Sequence, residues 1–356
     1  MSAIADAILT WHKNIHRDLP WKNTVNPYFI WVSEIILQQT RVEQGTPYYL
    51  RFIEKFPTIQ HLAEATQEEV YKIWEGLGYY SRARNMHFTA KHIQNNLQGT
   101  FPSSYDELIK LKGVGPYTAA AISSFAFGED KAVLDGNVFR VLARLYAEYA
   151  PINEAKNRKL FQGLVDNLLP KENSAAFNQA IMDFGAILCK PKQPLCESCN
   201  VNELCAAYRK GTVQDLPIKK KSGKKRERYL YFLDLRPKVG VFPVWKREGK
   251  DIWEGLYTLP FLESEKELDV IEDKQWRDKY GLNFLGLTQK VWETKHVLSH
   301  QFLHCRFYRV SEIDVVQEKK HSYGKNNLKW INDVDEVPWP VVITKYFKQL
   351  KNNNPQ

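Results

Sequence analysis

No run of apolar residues in this 356-residue chain approaches the length that spans a bilayer, so a helical membrane protein is excluded. The opening, Met1 to Lys13, lacks the basic start and unbroken apolar stretch of a secretory signal, so an intracellular protein is expected. Cysteine is scarce, five in all, and four of the five fall between Cys189 and Cys205. In a reducing compartment that clustering argues for a metal centre and against a disulfide framework. The fifth, Cys305, reads as a free thiol among strand residues. There is no internal repeat and no extended low-complexity tract, which sets aside solenoid and fibrous architectures. Acidic residues are the minority among charges, 41 against 50 basic ones, for a formal charge of +9. The excess favours a polyanionic partner without identifying one.

What is present divides into two textures. From Ile4 to about Ala207 the apolar pattern is helical, with start signals such as Asn26-Pro27, a cap followed by proline at the first helical position. IKKKSGKKRER, Ile218 to Arg228, is polar and basic and reads as a tether. Beyond it YLYFLDL, VGVFPVW and FLHCRFYRV are short aromatic and β-branched runs, as strands are. The expected organisation is a helical domain over 1–216, a basic linker over 217–228 and an α+β domain over 229–356.

Two motifs carry chemistry on their own. Cys189, Cys196, Cys199 and Cys205 form a C-x6-C-x2-C-x5-C array. Four thiolates so placed hold a four-iron four-sulfur cluster or a structural zinc ion, and spacing alone does not exclude zinc. Leu111-Lys112-Gly113-Val114-Gly115-Pro116-Tyr117-Thr118 lies between helical stretches. Its glycines turn backbone N–H groups outward and Pro116 opens the next helix, an arrangement that favours a phosphate and grips DNA without reading sequence. A single G-x-G more often only joins helices.

The order of that hairpin, then LDGN at Leu134 to Asn137, then the cysteine array resembles the endonuclease III superfamily of DNA glycosylases. Within it VSEIILQQT (Val32 to Thr40), GLGYYSRARN (Gly76 to Asn85) and FNQAIMDFGAILC (Phe177 to Cys189) resemble MutY-type adenine glycosylases, and the likeness runs from about Trp11 to Cys205. The resemblance implies a mostly α, two-lobed helix-hairpin-helix domain with an iron–sulfur loop and one four-iron four-sulfur cluster. It also implies removal of adenine mispaired with 8-oxoguanine or guanine in duplex DNA, by a monomeric bacterial enzyme of the cytoplasm and nucleoid.

Residue by residue, Glu34 is the first candidate. Trp31, Leu37, Ile30 and Gln38 lie three and four positions away on its helix, and an acid on so apolar a face is either paired or held protonated. The resemblance implies the second: a general acid that protonates adenine at N7. Asp135, otherwise an ordinary helix-opening aspartate, is implied to stabilise the oxocarbenium-like sugar and then direct water, with Asn137 orienting the site. Tyr117 stands where bifunctional relatives carry a Schiff-base lysine, so base removal without strand cleavage is expected. Phe139 likewise replaces a lysine that forms incidental adducts in some adenine glycosylases. Gln38 matches the wedge that fills the gap left by a flipped base, Tyr79 matches its partner inserted beside the base opposite, and Arg17, Trp21 and Gln179 match the adenine pocket. Gly113, Val114 and Gly115 match the phosphate-gripping hairpin.

Tyr229 to Leu350 resembles the Nudix-related C-terminal domain of the same proteins, with DIWEGLYTLP (Asp251 to Pro260) its clearest piece. The glutamate-rich helix of a working Nudix site is eroded to KQWRDKYG, Lys274 to Gly281, so a binding domain that recognises 8-oxoguanine is expected. Ser299 and His300 fall at the lesion-probing loop, where Leu298 replaces the usual aromatic residue. Three other readings compete: a bifunctional pyrimidine-lesion glycosylase, a nucleotide-pool hydrolase and a catalytically silent DNA-binding protein. Tyr117, the eroded acidic helix and the two carboxylates oppose them in turn.

Overall fold

The computed structural model describes residues 2–15, 17–221, 223–236, 240–269, 271–280, 288–310 and 327–353. The chain divides into two compact units, 1–65 with 84–222, and 66–83 with 223–356.

The first unit is helical. It contains α1 (Ala3–Lys13), α2 (Pro27–Leu37), α3 (Val42–Lys55) and α4 (Ile59–Glu64). The short α5 (Gln67–Trp74) belongs to the second unit, and α6 (Tyr80–Asn96) runs from the second unit's segment into the first. Then follow α7 (Tyr105–Leu108), α8 (Pro116–Phe127), α9 (Gly136–Leu145), α10 (Arg158–Leu168), α11 (Ser174–Ile187) and α12 (Ala206–Arg209). The Asn26 side chain caps α2 by accepting from the Tyr28 amide at 2.9 Å, and Pro27 supplies a preset φ where no amide is needed. Nearly every side chain of α2 is buried, including Ile30, Trp31, Val32, Ile35 and Ile36, so it is a core helix that packs on α3 and α8. α11 packs on α1, α8 and α9 around Val138, Leu142, Phe161, Phe177, Ile181 and Phe184. Each such side chain contributes roughly 1.5–3 kcal/mol on burial, which fixes the helices that carry the site.

The second unit has two sheets. β1 (Arg226–Asp234), β4 (Phe261–Ser264), β5 (Thr288–Val297) and β6 (Gln301–Val310) run in the order β4-β1-β6-β5; β2 (Phe242–Lys246), β3 (Tyr257–Thr258) and β7 (Leu328–Ile331) run in the order β3-β2-β7. β1 is parallel to β6 and antiparallel to β4, and β5 with β6 forms an antiparallel hairpin. Gln301, Leu303, Cys305 and Phe307 alternate inward along β6, the period-2 signature of a strand with one buried face. Helices α13 (Asp273–Tyr280) and α14 (Val341–Asn353) complete the unit, with Trp276 of α13 buried against Tyr231 and Leu233. The eroded stretch read at 274–281 is this helix, apart from Gly281, which lies outside the described residues.

Two boundaries differ from the sequence reading. The basic tether was expected to reach Arg228, but β1 begins at Arg226 and Arg228 is buried. Its guanidinium donates to Asp251 at 2.7 Å and to Glu263 at 2.7 Å, so two carboxylates compensate a cation that composition assigns to solvent. Residues 66–83, expected within the helical domain, cluster with the second unit. Ser222, within the expected linker, lies outside the described residues.

Candidate active site and nucleic-acid interface

Glu34 sits in the middle of α2 with 9% of its surface exposed. Burial pushes its carboxyl up to about 7; the nearby Tyr117 hydroxyl works the other way, and the charge of Asp135 adds to the rise. Tyr117, in the first turn of α8, is held neutral by burial and by the two carboxylates facing it, and its hydroxyl also meets Met182 Sδ at 3.5 Å. Asp135 is the N-cap of α9: Oδ1 accepts from the Val138 amide at 2.7 Å and Oδ2 from Asn137 Nδ2 at 2.9 Å. Burial raises its carboxyl, against the pull of those two donors. Glu34, Tyr117, Asp135 and Asn137, chosen from sequence as one site, are therefore gathered in one place.

Behind them lies a connection that sequence reasoning missed. Arg140 Nη2 donates to Asn137 Oδ1 at 3.0 Å and to the Gly185 carbonyl at 2.7 Å, while its Nε donates to the Cys189 carbonyl at 2.9 Å. A Cβ on Gly185 would lie 2.7 Å from Asn137 Cβ, so glycine is what lets α11 close on α9 here. One turn on, Arg144 donates to the Lys190 carbonyl at 2.7 Å and to Cys189 Sγ at 3.4 Å. Two arginines four apart on the buried face of α9 were the available signal.

The four clustered cysteines line a single cavity with Arg144 and Phe184. None forms a disulfide. Burial, then mutual repulsion, raises the thiols of Cys196 and Cys205, and raises Cys199 to about 11. Among the described residues no three His, Cys, Asp or Glu side chains converge as a single metal ion requires. Cys305 is buried in β6, and burial pushes its thiol up to about 12.

Arg17 and Gln179 meet on a residue passed over from sequence. Buried Asp183 accepts from Arg17 Nη1 at 2.8 Å, Lys22 Nζ at 2.7 Å and Gln179 Nε2 at 3.3 Å, with His12 Nε2 at 2.9 Å. Burial alone would raise its carboxyl, yet these donors hold it well below the usual range. Asp183 falls four residues after Gln179 on α11, a spacing that could have flagged it. Trp21 packs edge-on to Tyr49, ring centroids 5.2 Å apart.

Gln38 turns inward, its Nε2 on Thr118 Oγ1 at 3.2 Å, whereas Gln39 is exposed at the end of α2 with φ +57°. In the hairpin Gly113 has φ +83°, and a Cβ there would meet Asn85 Cβ at 2.7 Å, so the position demands glycine twice over. Gly115 opens α8 with open space around it. Val114 differs: its side chain is buried and its amide donates to the Leu111 carbonyl at 3.1 Å, closing the turn instead of facing outward. In the second unit Tyr79 is exposed with φ +49°, and Ser299 and His300 are exposed between β5 and β6, Ser299 Oγ 3.1 Å from His300 Nδ1. Leu298 packs against the unit's core instead of standing out beside them.

A family model described as HhH-GPD superfamily base excision DNA repair protein matches residues 32–166, and a NUDIX domain model matches 235–349. An adenine DNA glycosylase of Buchnera aphidicola subsp. Baizongia pistaciae is 35% identical over 98% of this chain and 96% of its own length. The chain belongs to the adenine DNA glycosylase family. The human adenine DNA glycosylase is 41% identical over 58% of this chain and 40% of its own. Among solved structures, a thermostable thymine-DNA glycosylase superposes with a TM-score of 0.54 at 32% identity, covering 58% of this chain and 95% of that one. Endonuclease III in a non-covalent DNA complex gives 0.51 at 25% identity, covering 58% and 94%. As an adenine DNA glycosylase the chain thus pairs a helix-hairpin-helix glycosylase fold with a Nudix-type domain. No helix among the described residues is long and apolar enough to cross a membrane.

Proposed function

We propose that this chain hydrolyses the N-glycosidic bond of adenine mispaired with 8-oxoguanine or guanine in duplex DNA. The observation that carries the reading is Glu34, a buried carboxyl raised to about 7 beside a second, half-buried carboxyl, Asp135. Two carboxyl groups with separate environments beside one glycosidic bond suit an acid and a charge stabiliser. Protonated Glu34 gives its proton to N7 of the flipped adenine, the C1′–N9 bond breaks, and the base leaves with its electron pair. Asp135, fixed by Asn137, faces the oxocarbenium-like sugar and orients the water that adds at C1′. Tyr117 stands beside the acid and offers no amine, so the strand stays intact.

Asp183 gathers Arg17 and Gln179 at the adenine pocket, and the Gly113–Gly115 turn at the head of α8 grips a phosphate. Gln39, exposed where Gln38 is not, is the better placed of the two to enter the duplex. Cys189, Cys196, Cys199 and Cys205 hold one four-iron four-sulfur cluster. Four half-buried thiols lining one cavity fit such a group, which when bound would supply the cations that make four neighbouring thiolates tolerable. The second unit reads 8-oxoguanine through Ser299 and His300 and has no hydrolase chemistry of its own. The test is single-turnover excision on duplexes carrying A opposite 8-oxoguanine, A opposite G, and T opposite G. Excision from the first two only is expected; excision from the third alone would overturn the reading.

A further inference from the structure

The segment Thr66–Ala83 leaves the helical unit and folds with the C-terminal one, and its contacts say what it does there. α5 opens on a reciprocal cap between Thr66 and Glu69. One residue earlier, the Glu68 carboxylate accepts from Tyr257 Oη at 2.7 Å and Lys246 Nζ at 2.9 Å, with Lys329 Nζ at 3.7 Å. These donors stand on β3, β2 and β7, one from each strand of the small sheet. Gly255 (φ +81°) closes on the same helix, since a Cβ there would lie 2.8 Å from Tyr71 Cε2. At the far end Tyr80 Oη donates to the Trp339 carbonyl at 3.1 Å.

Between these two fastenings runs a turn with three left-handed residues, Gly76 (φ +96°), Gly78 (φ +77°) and Tyr79 (φ +49°). A tyrosine holds that conformation only where its surroundings over-determine it. The Gly78 carbonyl accepts from Trp74 Nε1 at 3.0 Å and Arg82 Nη2 at 3.2 Å, and the Arg82 guanidinium lies over the Tyr79 ring, 5.5 Å from its centroid. One end of the turn is therefore set by α5, fastened to the small sheet, and the other by α6, fastened to the Trp339 carbonyl just before α14.

We propose that the C-terminal unit is the mount for Tyr79, with Glu68 as a positioning residue that acts through it. This rests on the reading of Tyr79 as the side chain inserted beside the base opposite adenine. The unit then works on the opposite strand in two ways: by touching the lesion through Ser299 and His300, and by presenting the wedge whatever the opposite base is.

The experiment uses the full chain and a duplex with 2-aminopurine next to the base opposite adenine, whose fluorescence reports unstacking on binding. Glu68→Ala, Lys246→Met and Tyr79→Ala are compared singly, and each of the first two is combined with the third. Lys246→Met should cut the fluorescence rise and the single-turnover rate about tenfold, the size of one lost charge-assisted hydrogen bond, and Glu68→Ala, which removes both hydrogen bonds, should cut them at least as far. In the Tyr79→Ala background the same substitutions should do almost nothing. Equal losses in both backgrounds, or no loss with an intact Tyr79, would overturn the proposal. Should Glu68→Ala fail to fold, Lys246→Met decides alone. The fluorescence requires no excision, so a chain inactive on adenine would defeat the functional reading while still reporting on Glu68.

Discussion

The Arg140 Nε donates to the Cys189 carbonyl at 2.9 Å, and through this contact the cysteine loop and the turn bearing Asp135 share one guanidinium. The same group holds Asn137, which in turn holds Asp135. A planar fork with several fixed donors is what serves three acceptors at once, and lysine cannot reproduce it.

Arg140→Gln and Arg140→Lys should therefore both slow excision, on the order of 10–100-fold, as loss of an orienting group does. Iron per chain should fall in parallel, because the Cys189 carbonyl loses its donor. Rates within twofold of the parent, with iron retained, would show that Asn137 keeps its place unaided.

Glu34→Gln should bind the A:8-oxoguanine duplex yet lose excision by about 10²–10⁴-fold or more. The acid must be protonated to act, so the parent's rate should fall as pH rises through about 7. Stability carries the same sign: the folded state binds the proton more tightly than the ordinary value of 4.5 allows. That contribution, roughly 3 kcal/mol, is present at low pH and lost as pH rises from 4.5 through about 7. Thermal melts should accordingly find Glu34→Gln gaining on the parent between about pH 5 and pH 8. A constant difference across that range would mean Glu34 titrates normally.

The sequence made some of this legible and hid the rest for physical reasons. Glu34 stood out because most of its neighbours at helical spacing are apolar, a local relation along the chain, whereas Asp135 reads locally as an ordinary helix-opening aspartate and only the family resemblance singled it out. Arg228 did not, because the carboxylates that bury it, Asp251 and Glu263, lie far along the sequence and meet it only across the folded unit. Asp183 was hidden in part for the same reason: apart from Gln179 on its own helix, its partners come from α1 and the loop after it. Gln38 and Gln39 are adjacent and chemically identical, and only the backbone turn at the end of α2 tells them apart. The placement of 66–83 was invisible because a capped amphipathic helix shows which face is apolar and not what covers it.

Purified protein should be yellow-brown with about four iron atoms per chain, as a four-cysteine cluster requires. Cys199→Ala, which removes the thiol burial raises to about 11, should lose most of the iron and the colour. Stoichiometric zinc without iron after anaerobic preparation would overturn the assignment.

Ser299→Ala with His300→Ala should shrink the preference for A:8-oxoguanine over A:G on the order of ten- to a hundredfold, at about 0.5–1.5 kcal/mol per hydrogen bond lost. Both side chains are exposed, so folding should be untouched. The readout is the ratio of single-turnover rates at one salt concentration, since phosphate contacts dominate raw affinity. An unchanged ratio would place lesion reading elsewhere.

Product strands should stay whole until treated with alkali, and borohydride should trap little covalent complex, if Tyr117 occupies the position of the Schiff-base lysine of bifunctional relatives and Phe139 that of the adduct-forming lysine, since neither side chain offers an amine. Efficient cleavage without alkali would point to another lysine as nucleophile.

In the proposed reaction Asp135 faces the sugar, and it is also the cap of α9, so the usual way of silencing an enzyme would here also fray a helix. Replacing it by alanine removes an N-cap worth about 0.5–2 kcal/mol, and any loss of turnover would then mix chemistry with unfolding. Asparagine is an equally good cap and keeps an oxygen for the Val138 amide. Asp135→Asn therefore keeps the cap while it removes the charge, and on the proposed reading it offers a practical tool: a folded, inert protein that parks on the mispair it would otherwise repair.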